Sequence, residues 1–279
     1  MDGDSPTPRG RLHGFSINRL IPNVLTLAAL CSGLTAIRFA LQGEMRLAVI
    51  AIIVAAIFDA LDGRVARRLG VTSRFGAELD SLSDFLCFGV APALVLYLAS
   101  LKDGGALGWV VTLMFPICSA LRLARFNTAL VSDTPPPPAW TGSYFTGVPA
   151  PAGALLALIP LMMSFEIEAA WPRHALVVGA VLVVVGGLMV SRLPTYSFKK
   201  GRVPRHLVLP SLLGAALVMG VLASAPWIAG SLIGLVYVAL IPFSWAAYRR
   251  QAAQDRQAAA NSAEVVSLRA VDSGPPPQG

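Results

Sequence analysis

The chain contains eight stretches of predominantly apolar residues, with lengths near that of a helix crossing a lipid bilayer. A hydrocarbon core about 30 Å thick takes about 20 helical residues to cross. Only 13% of the 279 residues are charged and the mean hydropathy is +0.66, whereas a soluble domain carries roughly 25% charged residues. We therefore predict an all-α, polytopic membrane helix bundle with spans at about 21–41, 46–61, 83–101, 106–126, 149–165, 172–191, 207–224 and 227–247.

Basic residues are distributed unevenly around these stretches. Eighteen lie in the terminal segments or at the connections on the same side, and only Arg46, Lys102 and Arg173 lie in the opposite connections. Arg38 lies inside or at the end of the first span. Because cytoplasmic loops are enriched in Lys and Arg, the pattern predicts that both termini face the cytoplasm. The net charge of +7 thus reflects topology and attraction to membrane lipids, and it needs no nucleic acid to explain it.

Four aspartates lie within 26 positions, at the predicted cytoplasmic ends of spans two and three. Asp59 and Asp62 are three residues apart, and Asp80 and Asp84 are four apart, so each pair shares one helix face. A connection at about 69–79 would let the two helices run antiparallel and bring the pairs together. Carboxylates at this density repel one another unless a cation neutralises them. The cluster therefore predicts a divalent metal site for Mg²⁺, Mn²⁺ or Ca²⁺, and its lack of Cys and His argues against zinc.

Two glycines and an arginine accompany these acids. Gly63 and Gly76 permit either close packing between membrane helices or the close approach of a ligand, and the neighbouring acids favour the ligand. Arg67 can form two hydrogen bonds with a phosphate, whereas Arg64, Arg68 and Arg74 are explained by topology alone. Together with the metal site, these residues predict a binding site for a diphosphate-linked substrate.

The order of these residues resembles the complete signature of the CDP-alcohol phosphatidyltransferases. The matching pattern is Asp59-x-x-Asp62-Gly63-x-x-Ala66-Arg67, followed at the family's spacings by Gly76, Asp80 and Asp84. The resemblance implies a binuclear metal site held by the four aspartates, with Asp59 and Asp80 touching both ions. It also implies that Asp84 is a general base, although ligation of a metal would make Asp84 a weaker base, and both roles stay open. The residues implied to contact CDP-diacylglycerol are Asn23, Thr26, Gly63, Ala66, Arg67, Ser73 and Gly76.

Three further segments bear on the acceptor alcohol. The runs Ser119–Asn127, Gly147–Ala152 and Ser191–Lys199 resemble the membrane-type phosphatidylserine synthases within that family. The resemblance implies that L-serine binds near four residues of these runs, namely Arg122, Arg125, Asn127 and Lys199. A carboxylate-bearing acceptor needs such cations, although membrane topology alone is an alternative explanation for the two arginines.

The expected activity is transfer of a phosphatidyl group from CDP-diacylglycerol to L-serine, with release of CMP. The family resemblance implies a homodimer, and we expect it in the bacterial inner membrane with the active site facing the cytoplasm. We expect a cytoplasmic segment at 1–20, the phosphatidyltransferase domain at 21–248 and a disordered cytoplasmic tail at 249–279.

Two alternatives differ from this expectation. The first is the same transfer to choline, glycerol 3-phosphate or inositol phosphate. A phosphate-bearing acceptor should need more cations, and choline should need an aromatic or acidic cage. The second alternative is a cation transporter. It is the more distant one, because transport sites usually lie near the bilayer midplane, whereas these acids lie at the ends of the spans.

Overall fold

The computed structural model describes residues 20–71, 73–131, 144–196 and 208–272. Within these ranges the chain is almost entirely helical, as the sequence predicts, with one antiparallel pair of short strands. The α-helices are α1 (Leu20–Leu41), α2 (Met45–Leu69), α3 (Arg74–Asp84), α4 (Ala91–Leu96), α5 (Gly105–Val131), α6 (Ala150–Ala157), α7 (Ile159–Met163), α8 (Ala175–Val190), α9 (Val208–Ser224) and α10 (Pro226–Asp272). The strands are β1 (Tyr144–Thr146) and β2 (Pro194–Tyr196), π-helical turns occupy Phe85–Val90 and Tyr97–Leu101, and 3₁₀ turns occupy Lys102–Gly104 and Trp171–Arg173.

Three described segments are long and apolar enough to cross a membrane: Leu20–Leu41, Arg74–Thr128 and Pro226–Asp255. The 55-residue middle segment holds the predicted third and fourth spans, which separate at the 3₁₀ turn and at Gly105, where φ is +57°. Large apolar side chains face outward from the helices, among them Leu107, Leu176 and Leu213. A soluble monomer rarely exposes so much apolar surface, so these faces suit contact with lipid. The count of eight spans stays a prediction.

Helix α1 is the element on which the site-bearing helices pack. It runs closely along α2 and also contacts α3 and the π-helical turn that follows α3. A Cβ atom at Gly33 would lie 2.6 Å from the Cys87 Sγ, so only a glycine allows this approach. The Cys87 thiol donates to the Ala29 carbonyl, and the Ser83 hydroxyl donates to the Thr26 carbonyl. These contacts hold α3 and its continuation against α1.

The connection between α2 and α3 spans only residues 70–73, so the predicted connection at 69–79 is too long. Helix α2 ends at Gly70, whose φ of 64° is left-handed and whose N–H donates to the Ala66 carbonyl. Helix α3 then begins at Ser73, whose Oγ accepts a hydrogen bond from the Gly76 N–H at 3.0 Å. Both features are strong helix-end signals, and they place Gly76 inside the first turn of α3.

A short strap follows the 132–143 gap and docks on the end of α8. Strand β1 pairs with β2, and Gly147 follows β1 with φ at +76°. Its N–H donates to the Leu193 carbonyl, and its carbonyl accepts from the Thr195 hydroxyl. Helix α10 packs against β2, so the strap joins the last helix to the rest of the bundle.

The structure carries α10 on to Asp272, whereas the sequence analysis expects a disordered tail from 249. This segment is rich in Ala, Gln and Arg, which are good helix formers. The low hydrophobicity of this segment means that it has little apolar surface to bury, but its residues still favour a helical backbone. The expected N-terminal segment lies largely outside the described residues, and so does Lys199.

Candidate functional site

Three of the four predicted aspartates converge at one end of the helix bundle. Asp59 and Asp62 lie near the carboxyl end of α2, and Asp80 lies in α3. One carboxylate oxygen from each residue lies within 4.8 Å of the other two. Asp62 is only 5% exposed, and Asp59 and Asp80 are half-buried. The helical spacing thus brings these acids together as the sequence analysis expects.

The fourth aspartate, Asp84, lies beside this triad. Its carboxyl group is within hydrogen-bonding reach of Asp59 and near enough to Asp80 to interact electrostatically. It also interacts electrostatically with the guanidinium of Arg122. Asp84 therefore interacts both with the acidic triad and with the arginine that the sequence analysis assigns to the acceptor.

The acidic group fits a divalent cation on chemical grounds. Two ionised carboxylates as close as Asp59 and Asp84 repel each other unless a proton or a cation lies between them. The triad consists of carboxylates alone, the ligands that hard cations such as Mg²⁺ and Ca²⁺ prefer. The triad can therefore hold a metal ion.

A threonine of α1 orients one of these potential ligands. The Thr26 hydroxyl is 2.6 Å from the Asp62 Oδ2 and donates to it, with the Pro22 carbonyl as a second acceptor at 3.1 Å. Thr26 is 4% exposed, so water seldom competes for this bond. Hydrogen bonds of this kind fix the orientation of metal ligands. The sequence analysis places Thr26 on the CDP-diacylglycerol, and the structure gives it this contact with Asp62.

A cavity of about 190 Å³ opens beside the acids, between α1, α2 and α3. It is lined by all seven residues predicted to contact CDP-diacylglycerol, namely Asn23, Thr26, Gly63, Ala66, Arg67, Ser73 and Gly76. Asp62 and Asp80 also line it. The cavity thus joins the predicted donor contacts to two of the potential metal ligands.

Both signature glycines leave room for polar groups of this cavity. A Cβ at Gly63 would lie 3.3 Å from Nη1 of Arg67, whose guanidinium therefore lies over the glycine. A Cβ at Gly76 would lie 3.0 Å from the Asn23 Oδ1 and 3.1 Å from the Ser73 Oγ. Side chains at either position would press on groups that point toward the cavity.

The predicted serine-binding residues of α5 have different environments. Arg122 is half-buried, and its Nε has no hydrogen-bond partner among the described residues. Arg125 donates to the Val190 carbonyl at 2.7 Å and to the Ser191 carbonyl at 3.2 Å, which caps the end of α8. Asn127 donates to the Ser81 hydroxyl at 3.0 Å and so ties α5 to the turn of α3 that carries Asp80. Of these three, Arg122 is the one that faces Asp84.

The sequence analysis missed one polar residue near Arg122. Tyr237 of α10 lies close enough to interact electrostatically with the Arg122 guanidinium, and its hydroxyl is buried. The only sequence signal is its isolation, because it is the one polar side chain in the apolar run from Leu235 to Leu240. Nothing in the spacing predicts that α10 packs against this part of the bundle.

Comparisons with known proteins agree with the signature. The sequence model of the CDP-alcohol phosphatidyltransferase family matches residues 19–189, and a second one, described as CDP-alcohol phosphatidyltransferase 2, matches residues 206–242. The chain is 38% identical over 243 residues to the CDP-diacylglycerol–serine O-phosphatidyltransferase of Mycobacterium leprae (strain TN), covering 85% of this chain and 80% of that protein. It is 34% identical over 181 residues to the enzyme of the same name from Helicobacter pylori (strain ATCC 700392 / 26695), covering 65% and 73% of the two chains.

An archaeal relative is also similar. The archaetidylserine synthase of Methanothermobacter thermautotrophicus (strain Delta H) is 33% identical over 175 residues, covering 61% of this chain and 67% of that protein. The matched family region of residues 19–189 contains the four aspartates and the cavity described above. The chain therefore belongs to the CDP-alcohol phosphatidyltransferase family.

Proposed function

We propose that this protein transfers the phosphatidyl group of CDP-diacylglycerol to the hydroxyl of L-serine, giving phosphatidylserine and CMP. The observation that carries the proposal is that all seven predicted donor contacts line one cavity, together with two aspartates of the acidic triad. The names of the similar proteins support serine as the acceptor, and the bacterial ones among them are similar over most of their length.

The proposed cofactors are two divalent cations, Mg²⁺ or Mn²⁺, with Ca²⁺ as a further candidate. Asp59, Asp62, Asp80 and Asp84 would hold them. Bound cations would neutralise the diphosphate and the departing CMP. Among the protein's own groups, Thr26 keeps the Asp62 carboxylate in one orientation.

The proposed donor site is the cavity between α1, α2 and α3. Arg67 would donate hydrogen bonds to the diphosphate. The absence of a side chain at Gly63 would leave the Arg67 guanidinium free to turn toward the ligand. Asn23, Ala66, Ser73 and Gly76 would line the remainder of the CDP site. The diacylglycerol chains would extend toward the lipid-facing surface of the bundle.

The proposed chemistry is an in-line displacement at the phosphorus that bears the diacylglycerol. The serine hydroxyl oxygen bonds to this phosphorus, the bond to the CMP oxygen breaks, and Asp84 accepts the hydroxyl proton. Arg122 would bind the serine carboxylate next to Asp84. Asn127, Arg125 and Lys199 are the other proposed serine contacts, although Arg125 already caps α8 and Lys199 lies outside the described residues.

The proposed setting is the bacterial inner membrane. The signature end of the bundle and both termini would face the cytoplasm, on the positive-inside rule. The proposed phosphatidyltransferase domain at 21–248 contains most of the region that the family models match. We propose a homodimer on the family resemblance.

Acceptor profiling of the purified protein tests this proposal. CDP-diacylglycerol is offered with labelled L-serine, glycerol 3-phosphate, choline or inositol phosphate, each with Mg²⁺, with Mn²⁺ and with EDTA. We expect labelled phosphatidylserine only, and only with a metal. Incorporation of glycerol 3-phosphate without serine would reject the proposed acceptor, and full activity in EDTA would reject the proposed cofactors.

A further inference from the structure

Two buried polar atoms near one another have no hydrogen-bond partner among the described residues, namely the Nε of Arg122 and the hydroxyl of Tyr237. Neither residue lines the donor cavity, and the Arg122 guanidinium interacts electrostatically with Asp84. Leaving a buried donor unsatisfied is energetically costly, so native structures seldom do so unless a ligand or water completes the site. The two atoms belong to groups that interact electrostatically with each other.

From this arrangement we infer that Tyr237 is an acceptor-binding residue, whose hydroxyl donates a hydrogen bond to the carboxylate of L-serine beside Arg122. The inference rests on the proposed function and deepens it. It also gives α10 a part in the site, although α10 lies outside the helices that carry the signature.

The packing of the strap explains how Tyr237 is positioned. Helix α10 packs against β2, where the Thr195 side chain is buried next to the Tyr237 ring. The Thr195 hydroxyl donates its proton to the Gly147 carbonyl at 3.0 Å and lies close to the Tyr237 hydroxyl. The Tyr237 hydroxyl makes no hydrogen bond of standard geometry with any described residue, so a ligand that accepts its proton can compete for it.

The charges around these atoms indicate which part of the acceptor they bind. Arg122 is cationic and Tyr237 is a neutral donor, a combination that suits a carboxylate. Asp84 also interacts electrostatically with Arg122 and suits the serine hydroxyl, whose proton it is proposed to accept. An amino acid with its carboxylate on Arg122 and Tyr237 would thus have its hydroxyl within the same group of residues as Asp84.

The test is Tyr237→Phe, which removes one oxygen atom and keeps the ring. The matched control is Tyr97→Phe, which makes the same change in a ring that packs edge-on against Trp109, at the opposite end of the helical run that begins with α3. Steady-state kinetics of phosphatidylserine formation are measured for both variants and the wild type. Thermal unfolding of all three proteins in detergent is measured with and without L-serine.

We expect Tyr237→Phe to raise the KM for L-serine about tenfold, the effect of one hydrogen bond to a charged group. The KM for CDP-diacylglycerol should not change, and the melting temperature without serine should change little, because the hydroxyl has no hydrogen bond of standard geometry within the described part of the chain. The increase in melting temperature that L-serine produces in the wild type should shrink in Tyr237→Phe and persist in Tyr97→Phe.

Three results would overturn the inference, and they are distinguishable. If the wild type makes phosphatidylserine and Tyr237→Phe has an unchanged KM for serine, Tyr237 is not an acceptor-binding residue and the proposed function stands. If the wild type makes no phosphatidylserine, the proposed function fails and the inference fails with it. A lower melting temperature with equal rises in both KM values would assign Tyr237 a structural role and also contradict the inference.

Discussion

Single hydrogen bonds and single methyl groups decide the geometry of this site. Thr26 binds one oxygen of Asp62, Gly63 makes room for Arg67, and Asp84 contacts Asp59. The sequence predicts the four acids and the donor residues because helical spacing alone places them on shared faces. It does not predict that Thr26 bonds to an acid, since this contact depends on how α1 packs on α2.

At this scale, Thr26→Val tests the orientation of Asp62. The variant keeps the shape of the side chain and removes the hydroxyl. Loss of a hydrogen bond to a metal ligand typically weakens metal binding roughly 10- to 100-fold, so we expect the metal concentration for half-maximal activity to rise by about this factor. Thr35→Val is the control, because the Thr35 hydroxyl donates to the Cys31 carbonyl of its own helix. An unchanged metal requirement in Thr26→Val would show that Asp62 needs no such support.

Gly63→Ala tests the space under Arg67. The new methyl group would lie 3.3 Å from the Arg67 Nη1 and push the guanidinium from its position, so we expect a KM for CDP-diacylglycerol about tenfold higher. Stability should not fall, since Ala is favoured over Gly within a helix by about 1 kcal/mol. Gly187→Ala is the control, because its methyl group would meet nothing within 4 Å. Equal kinetics in the two variants would contradict this role of Gly63.

At the scale of elements, the strap of β1, Gly147 and β2 links α8 to α10. The sequence analysis quotes Gly147 and β2 within runs that resemble the phosphatidylserine synthases, but it cannot predict that β2 pairs with β1. Thr146 pairs with Pro194, which lies 48 positions further along the chain. Local sequence patterns carry no information about such distant partners. The same reason explains why Tyr237 was missed.

Gly147→Ala tests the strap. A Cβ here would lie 2.8 Å from the Met189 and Ser191 carbonyl oxygens, and the positive φ of this residue disfavours any side chain. We expect a loss of at least about 2 kcal/mol of stability from strain and overlap together, read as a lower melting temperature in detergent.

Gly43→Ala separates the two causes of that loss. Gly43 has a φ of +81°, and nothing lies within 4 Å of the added methyl group, so it reports backbone strain alone. We expect a smaller fall in melting temperature than in Gly147→Ala. Equal falls in the two variants would show that the strap contacts contribute little.

At the scale of the whole molecule, the sequence predicts the fold class well and the organisation of the site in part. Apolar stretches and helix-end signals determine where helices run. The first four predicted spans each coincide with helix, although α2 continues past the predicted end at 61 and α3 begins before the predicted start at 83. The predicted fifth span is broken into α6 and α7, with Pro160 at the second position of α7, since proline lacks the N–H that a continuous helix needs.

The positive-inside rule gives a test of orientation. Alkaline phosphatase, which folds only outside the cytoplasm, should be inactive when fused after Gly279 and active when inserted at the Lys102–Gly104 turn. A fluorescent protein that folds only inside the cytoplasm should give the opposite pattern. Active phosphatase after Gly279 would reverse the proposed orientation of the signature end.

The most direct test of the account is phosphatidylserine formation by purified Asp84→Asn in the presence of Mg²⁺ or Mn²⁺. Asp103→Asn is the control, because Asp103 is exposed in the turn at the far end of the bundle. Loss of a general base typically costs about 10²- to 10⁴-fold in rate, so we predict that Asp84→Asn makes phosphatidylserine and releases CMP at least about 100-fold more slowly than the wild type. Asp103→Asn should match the wild type. Wild-type rates of both products in Asp84→Asn would contradict the claim that this acidic site performs the transfer.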